Sequence, residues 1–279
     1  MKVAYAGFDL LYPCLEELEQ TGCQVAQIFT YPTDQVYEFN RDVVSFARQR
    51  DIPWTDRPIT AEDLYALLDQ GCQALISAGY IYRIPTSTPM RCANVHPALL
   101  PVGRGPWPMP CTILKGLKKS GITIHKVAAG FDTGDILLQE PFPVAAEDTL
   151  ETMTETIRTL APRLLRRTVE DFDRLWEKAV PQGAGEYWPE PAEEERTFTP
   201  WDRAERVDRI VRAFAGYGSV LRLGERSITV VRGSVEFGRH TGRPGVLRTE
   251  NGCPRLTLNG GWLSLQEWRE EEAGTRETL

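Results

Sequence analysis

The sequence predicts an α/β fold for the first part of the chain and a smaller, β-rich fold for the rest. Strand-like and helix-like segments alternate over the first part, which is typical of a parallel sheet with right-handed crossovers. Short strand-like segments separated by glycine-containing turns follow residue 200, which favours a small barrel. A run rich in proline, glycine and glutamate lies between them. We therefore predict a first domain over residues 1–180, a solvated linker over 181–200 and a barrel-like domain over 201–279.

The first domain opens on a buried strand from Val3 to Phe8. The following helix has Pro13 near its first position and Gly22 at its end. Further strands are predicted over residues 24–30, 74–78, 92–96, 123–127 and 136–144, and further helices over residues 40–49 and 61–69. A longer helix begins near Asp148 and continues to Leu175, with a kink expected at Pro162.

The last domain begins with one amphipathic helix and continues with short strands. The helix presents Ala204, Val207, Ile210, Val211 and Phe214 on one face. The strands are predicted over residues 220–223, 227–232, 245–249, 255–258 and 262–268. The acidic end from Glu270 onward is expected to fray.

Composition indicates a soluble cytoplasmic protein. The chain has 279 residues, 42% of them hydrophobic, and a net charge of -7. This charge disfavours a nucleic-acid partner without excluding a local basic patch. The six cysteines lack zinc-ligand spacing, which predicts reduced thiols and no metal site. The sequence shows neither a signal peptide nor an apolar run of the roughly 20 residues that a membrane span needs, so no membrane association is expected.

Polar side chains follow two of the predicted strands. Asn94 and His96 alternate with Val95 at the end of one strand, so both side chains leave the same face. Ligands of open parallel sheets bind at the carboxyl ends of the strands. The loop Gly130–Asp135 follows another strand, and its glycines allow a sharp turn that brings Asp132 inward.

These three residue types suit acyl transfer. An Asn94 amide can donate to a developing oxyanion, and His96 can donate to it too or manage protons. Asp132 can orient the imidazole and accept a proton from an attacking amine. Since no serine, cysteine or lysine nucleophile is evident, we expect direct transfer without an acyl-enzyme. The spacing alone predicts a polar site on an α/β sheet and leaves a purely structural role for His96 open.

Three motifs resemble those of the folate-dependent formyltransferases, a family that includes methionyl-tRNA formyltransferase and amino-sugar N-formyltransferases. They are Asn94-Val95-His96-Pro97-Ala98-Leu99-Leu100-Pro101, Gly121-Ile122-Thr123-Ile124-His125 and Phe131-Asp132-Thr133-Gly134-Asp135-Ile136-Leu137. The resemblance extends over nearly the whole chain. It implies a Rossmann-like formyltransferase domain followed by a small OB-like β-barrel. It also implies that Asn94 and His96 polarise the formyl oxygen and that Asp132 assists proton transfer from the amine.

The resemblance also implies a formyl donor, 10-formyltetrahydrofolate. The residues expected to bind it are Tyr82, Arg83, Ile84, Ala128, Gly130, Phe131 and Asp132. No metal and no nicotinamide cofactor are expected. His125 is predicted to lie in the sheet near the site without a direct role.

Departures from the family pattern bear on the acceptor. Trp107 replaces a smaller, more polar residue and could stack on an acceptor or simply pack, and Arg104 could bind an acceptor phosphate or pin its loop. The loop over residues 31–40 lacks the basic insertion with which transfer-RNA formyltransferases grip the acceptor stem. We therefore favour a small-molecule amine, such as a nucleotide-linked amino sugar. A methionyl-tRNA formyltransferase, a formyltetrahydrofolate hydrolase and a non-catalytic folate-binding module stay open, as does assembly into a homodimer.

Overall fold

A computed structural model describes residues 1–250 and 252–270. The chain divides into two compact units. The first unit contains Met1–Pro108, Lys119–Pro143 and Thr154–Pro189. The second contains Met109–Lys118, Val144–Met153 and the chain from Glu190 onward. The acidic end that was expected to fray lies, from residue 271, outside the described residues.

The first unit is built on a seven-stranded sheet. Its strands are β1 (Lys2–Gly7), β2 (Gln24–Phe29), β3 (Trp54–Thr55), β4 (Ala74–Ala78), β5 (Cys92–His96), β7 (Lys119–Lys126) and β8 (Ile136–Pro143). The spatial order is β3-β2-β1-β4-β5-β7-β8. The first five strands in this order pair in parallel, whereas β7 runs antiparallel to both β5 and β8. The sheet is therefore mixed, and the predicted α/β class is confirmed.

The helices follow the predicted order, with several additions. A short 3₁₀ helix (Asp9–Leu11) precedes α1 (Tyr12–Gln20), and the others are α2 (Arg41–Gln49), α3 (Ala61–Asp69), α4 (Pro108–Leu114), α5 (Leu150–Glu170), α6 (Phe172–Glu177), α7 (Glu193–Arg196) and α8 (Ala204–Ala213). The single helix predicted to reach Leu175 is interrupted at Asp171, while α5 stays continuous through Pro162. None of the helices in residues 1–250 and 252–270 combines the length and hydrophobicity of a membrane-spanning segment.

The centre of the sheet is apolar on both faces. Leu75 and Ile76 of β4 and Val3 and Ala4 of β1 are fully buried. Helices on both sides of a parallel sheet produce such continuous apolar strands. Packing therefore fixes the central strands, and with them the positions of the polar residues at the carboxyl ends.

The second unit contains a six-stranded sheet with α8 beside it. The strands are β10 (Thr197–Phe198), β11 (Ser219–Leu223), β12 (Arg226–Phe237), β13 (Leu247–Glu250), β14 (Cys253–Leu258) and β15 (Gly261–Glu270), in the order β10-β11-β12-β15-β14-β13. Within the described part of the chain, no pairing joins β10 to β13. A closed OB-like barrel is therefore not confirmed. β10 is only two residues long and β13 is exposed throughout, so both remain edges.

The segment predicted as a solvated linker is partly packed. Two residues of it form β9 (Glu186–Tyr187), which pairs in parallel with β6 (Val102–Arg104). Trp188 and Phe198 are buried, with exposed fractions of 4% and 1%. The prediction of a solvated linker rested on the many proline and glycine residues of this segment. It gave too little weight to the two aromatic residues, whose burial makes the segment less exposed than its composition indicates.

The amino end of α2 is capped by a residue from a distant part of the chain. The Asp9 carboxylate accepts hydrogen bonds from the backbone N–H groups of Asp42 and Val43, each at 3.1 Å. Asn40, the residue that precedes the helix, makes no side-chain cap. Asp9 therefore links α2 to the end of β1.

Asp9→Ala is expected to lower the free energy of unfolding by about 1 kcal/mol, because two N–H groups at the helix start lose their acceptor. Urea unfolding followed by circular dichroism measures this loss. Asp56→Ala, at an exposed loop position, is the control and should leave the midpoint unchanged. Equal midpoints for the two variants would contradict the capping role.

Candidate active site

The last strand of the parallel part of the sheet, β5, carries two of the predicted catalytic residues. Asn94 and His96 occupy alternate positions there, and His96 is 5% exposed. In the antiparallel register with β7, Asn94 lies opposite His125 and His96 lies opposite Thr123. The pairing of β5 with β7 therefore places a second imidazole beside the Asn94 amide.

Asp132, on the turn between β7 and β8, completes the predicted group. Its φ of +54° is in the left-handed region, which costs a non-glycine residue about 1–2 kcal/mol. One carboxylate oxygen, Oδ1, lies 3.6 Å from His96 Nδ1, 3.4 Å from His125 Nε2 and 3.4 Å from Asn94 Nδ2. The structure thus brings Asn94, His96 and Asp132 together around one carboxylate.

The other carboxylate oxygen of Asp132 accepts a hydrogen bond from the backbone. The N–H of Gly105 donates to Oδ2 at 2.9 Å. Gly105 has a φ of +122°, and a Cβ at this position would collide with the carbonyl oxygen of Trp188. Only glycine fits this close approach, which delivers a fixed N–H to the buried carboxylate.

The hydrogen bonds of His96 define its tautomer. Nε2 lies 2.7 Å from the carbonyl oxygen of Gly103, so Nε2 carries the proton and donates it. In the neutral ring, Nδ1 is then unprotonated and faces Asp132. Burial lowers the pKa of His96, against the opposing effect of the Asp132 charge. The site therefore contains a neutral imidazole whose free nitrogen can accept a proton.

Asp132 is ionised despite its burial. Burial alone raises the pKa of this carboxyl, but the neighbouring imidazoles of His96 and His125 and the hydrogen bond from the Gly105 N–H together lower it to about 2. Hydrogen bonds to the charged form outweigh desolvation here. A permanent negative charge therefore lies beside the free nitrogen of His96.

His125 is a member of this cluster that the sequence did not predict. Its Nδ1 lies 2.8 Å from the Lys126 carbonyl and donates to it, which leaves Nε2 free to accept from Asn94 Nδ2 at 3.2 Å. This contact directs the Asn94 amide nitrogen toward Asp132. The sequence placed His125 in the sheet near the site, but the register that pairs it with Asn94 has no local signal.

Gln182 is a second residue that the sequence missed. Its Nε2 donates to the carbonyl oxygens of Asp132 and Gly134, at 3.0 and 2.6 Å. Arg104 donates to Gln182 Oε1 at 2.9 Å and to the Gly183 carbonyl at 3.1 Å. Two roles were considered for Arg104, and these contacts favour the one in which it holds its loop in place over the one in which it binds an acceptor phosphate.

Trp107 is half-buried, and its role in acceptor binding stays a prediction.

The two segments predicted to hold the folate lie against each other. Arg83 donates to the carbonyl of Ala129 at 3.1 Å, and its guanidinium lies 4.6 Å from the centroid of the Phe131 ring. The Phe131 side chain is 46% exposed and so presents an aromatic face to solvent. Tyr82 contacts Tyr80 edge to face, with the ring centroids 5.6 Å apart. An exposed aromatic surface beside the Asp132 carboxylate suits a flat heterocycle.

The remaining predicted folate residues lie in these same two segments. Ile84 is half-buried and packs against the apolar core next to β4, and Ala128 and Gly130 precede Phe131 on the turn. Their contacts with a folate stay a prediction. In the part of the chain that the structure describes, no three His, Cys, Asp or Glu side chains are placed to hold a metal ion.

Comparison with known proteins identifies the relatives of this chain. A family model described as formyl transferase matches residues 19–169. The chain is 29% identical to the methionyl-tRNA formyltransferase of Paramagnetospirillum magneticum, over 98% of this chain and 93% of that protein. It is 32% identical to the corresponding enzyme of Pelotomaculum thermopropionicum, over 74% of this chain and 69% of that protein.

The fold agrees with solved structures. The structure of the N-formyltransferase from Helicobacter canadensis, in complex with folinic acid and dTDP-3-aminofucose, matches with a TM-score of 0.70. The match covers 97% of this chain and 99% of that chain at 16% identity. The family resemblance predicted from the three motifs is confirmed.

The pKa of His96 is expected to lie below the value near 6.5 of an ordinary histidine, so the ring keeps its neutral form, with the proton on Nε2, to a lower pH than an exposed histidine does. Because folding lowers the pKa of His96, the unfolded chain takes up a proton that the folded site excludes. The resulting contribution to stability is present above the unfolded pKa and is lost as the pH falls below about 6.5.

Nitrogen-15 NMR of the ring nitrogens, with labelled histidine, measures this state directly. The companion variant Asp132→Asn should lower the pKa of His96 further, because the Asp132 charge favours the imidazolium. A titration midpoint at or above 6.5 in the unmodified chain would show that burial does not control this imidazole.

Proposed function

The chain belongs to the formyl transferase family and is a folate-dependent formyltransferase, and we propose that its acceptor is the primary amine of a small molecule, such as a nucleotide-linked amino sugar. The formyl donor is 10-formyltetrahydrofolate. The observation that carries the proposal is the buried cluster of Asn94, His96 and ionised Asp132. It offers a hydrogen-bond donor, a free base and a fixed charge at the end of one strand.

Transfer is a direct displacement at the formyl carbon. The acceptor nitrogen forms a bond to this carbon, the bond from the carbon to N10 of the folate breaks, and negative charge develops on the formyl oxygen in between. One proton leaves the acceptor nitrogen and one must reach N10. The Asn94 amide supplies a donor for the developing charge. Its 3.4 Å contact with Asp132 is long, so this N–H is easily redirected.

We assign the proton that leaves the acceptor nitrogen to His96 and Asp132, which act together. The Asp132 side chain is 12% exposed and that of His96 is 6% exposed, so the carboxylate lies on the more open side. With a pKa of about 2, Asp132 is too weak a base to keep a proton from the amine. We assign it first to His96 Nδ1, where the carboxylate stabilises the imidazolium; the imidazolium then gives this proton to N10 as the bond from the formyl carbon to N10 breaks, which returns the ring to its neutral form. In this tautomer His96 acts as a proton acceptor, since its Nε2–H is already bound to Gly103.

The loop after β2 supports a small acceptor. Residues 31–40 contain Asp34 and Glu38 and no lysine or arginine. The Asp34 carboxylate accepts N–H groups from Val36, Tyr37 and Glu38 at 2.8–2.9 Å, which folds the loop into a compact turn. A phosphate backbone would meet acidic groups on this loop, which disfavours a transfer RNA. The complex of the Helicobacter canadensis enzyme with an amino-sugar nucleotide agrees with a small acceptor.

Methionyl transfer RNA is the second candidate acceptor. It is favoured by the methionyl-tRNA formyltransferases that align with nearly the whole chain, including the sheet and helix after residue 190. The net charge of -7 weighs against it. A binding module has less support, because the cluster retains the base, the donor and the charge that formyl transfer uses.

His96→Ala and Asp132→Ala are each expected to lower the rate of formyl transfer at least about 100-fold while the fold stays intact, because the proton loses its acceptor or the imidazolium its stabilising charge. Stopped assays of tetrahydrofolate release measure the rate, and circular dichroism measures the fold. Asp69→Ala, at the exposed end of α3, is the matched control and should retain full activity. Near-normal turnover in either site variant would contradict the catalytic assignment.

The acceptor is identified by tetrahydrofolate release from 10-formyltetrahydrofolate in the presence of different amines. The panel contains nucleotide-linked amino sugars, amino-acid derivatives, methionyl initiator transfer RNA and a sample without acceptor. We expect release with a small amine only. Release with the transfer RNA only would establish the second candidate, and release without any acceptor would establish a hydrolase.

A further inference from the structure

A segment far along the chain crosses the turn Gly130–Asp135, which contains Asp132 and which we call the catalytic turn. Backbone hydrogen bonds hold this segment at both of its ends. We call residues 180–188 the strap. At one end, Val180 and Ile136 exchange two backbone hydrogen bonds of 2.8 Å, which ties the strap to the start of β8. At the other end, the Trp188 N–H donates to the Arg104 carbonyl at 2.7 Å. The strap therefore spans from the strand after Asp132 to the loop after His96.

The middle of the strap contributes one side chain to the catalytic turn. Both carbonyls that accept from the Gln182 amide, those of Asp132 and Gly134, belong to this turn. The amide oxygen of Gln182 accepts two hydrogen bonds from Arg104, at 2.9 and 3.2 Å. Two carbonyl acceptors on one side and a donating guanidinium on the other define the orientation of the amide. The flipped amide would place its N–H groups against the guanidinium and its oxygen against the carbonyls.

We propose that Gln182 is a positioning residue that holds Asp132 in its left-handed backbone conformation. The role of this contact in formyl transfer rests on the proposed function, whereas its effect on the turn does not. Without the amide, the Asp132 carbonyl loses the partner that keeps the peptide in this orientation. The carboxylate would then leave its contacts with His96, His125 and the Gly105 N–H.

The chemistry of the position requires an amide. The side chain must donate to two carbonyl oxygens and accept from a guanidinium, which glutamine does and glutamate or methionine does not. Arg104 acts one step further away, since it orients Gln182, which in turn bonds the Asp132 carbonyl. This arrangement assigns Arg104 a role in the turn that is distinct from binding an acceptor phosphate.

The test uses the histidines of the folded chain, because the sequence contains only three, His96, His125 and His240. In Gln182→Ala, the ring nitrogen resonances of His96 and His125 are expected to move, while those of His240 stay in place. Arg104→Met should move the same two histidines, and the double variant should move them no further than either single change. Gln73→Ala, which removes a single hydrogen bond to the Lys2 N–H, is the matched control and should move none.

These spectra require neither formyl donor nor acceptor, so they test the proposal even where the acceptor screen fails. Resonances of His96 and His125 that superimpose on those of the unmodified chain in both Gln182→Ala and Arg104→Met would overturn it. If Gln182→Ala does not fold, Arg104→Met decides the outcome. With an identified acceptor, Gln182→Glu is expected to lower kcat at least about ten-fold and to leave KM for 10-formyltetrahydrofolate within about two-fold. An effect on KM for the acceptor alone would instead indicate that this pair binds the acceptor.

Discussion

The site depends on keeping one largely buried carboxylate ionised. A buried charge is unfavourable unless polar groups surround it, and Asp132 is surrounded by two imidazoles, an amide and a backbone N–H. Each of these groups needs a particular local structure to reach it. The alternation on β5, the antiparallel register of β7 and the glycine at position 105 all supply that structure. Much of the unusual geometry of the first unit follows from this single requirement.

The sequence predicts those parts of the fold that depend on residues close together in the chain. The strands at Ala74–Ala78 and Cys92–His96 were predicted to the residue, because their apolar runs are short and bounded by turn-forming residues. The direction of β7 was not predicted, since antiparallel pairing with β5 depends on contacts far apart in sequence. The expected barrel rested on a pattern of short strands, and such a pattern does not determine whether the edges of a sheet meet.

The same distinction applies to the site. Asn94, His96 and Asp132 were predicted as site residues because each stands in a local motif that resembles the family's, and the structure brings the three together. His125 reaches the site through the register of β7 with β5. Gln182 reaches it through hydrogen bonds to residues 48–50 positions earlier in the sequence. Neither residue therefore lies in a local motif that indicates its role. Hydrogen-bond geometry also changed the interpretation of His96, because the bond to the Gly103 carbonyl determines which ring nitrogen is free. A sequence contains no direct information about a tautomer.

The late position of the strap in the chain has a consequence for biosynthesis. The strands of the first sheet, including β5, and the Asp132 turn all precede residue 144, and a nascent chain can begin to pair them as soon as they leave the ribosome. Gln182 and Trp188 are translated some forty residues later. The Asp132 turn therefore acquires the hydrogen bonds from Gln182 to its backbone carbonyls only after α5 and α6 have been made. Synthesis of the strands of the first sheet and synthesis of the residue that holds the Asp132 turn are therefore separate events in the life of the polypeptide.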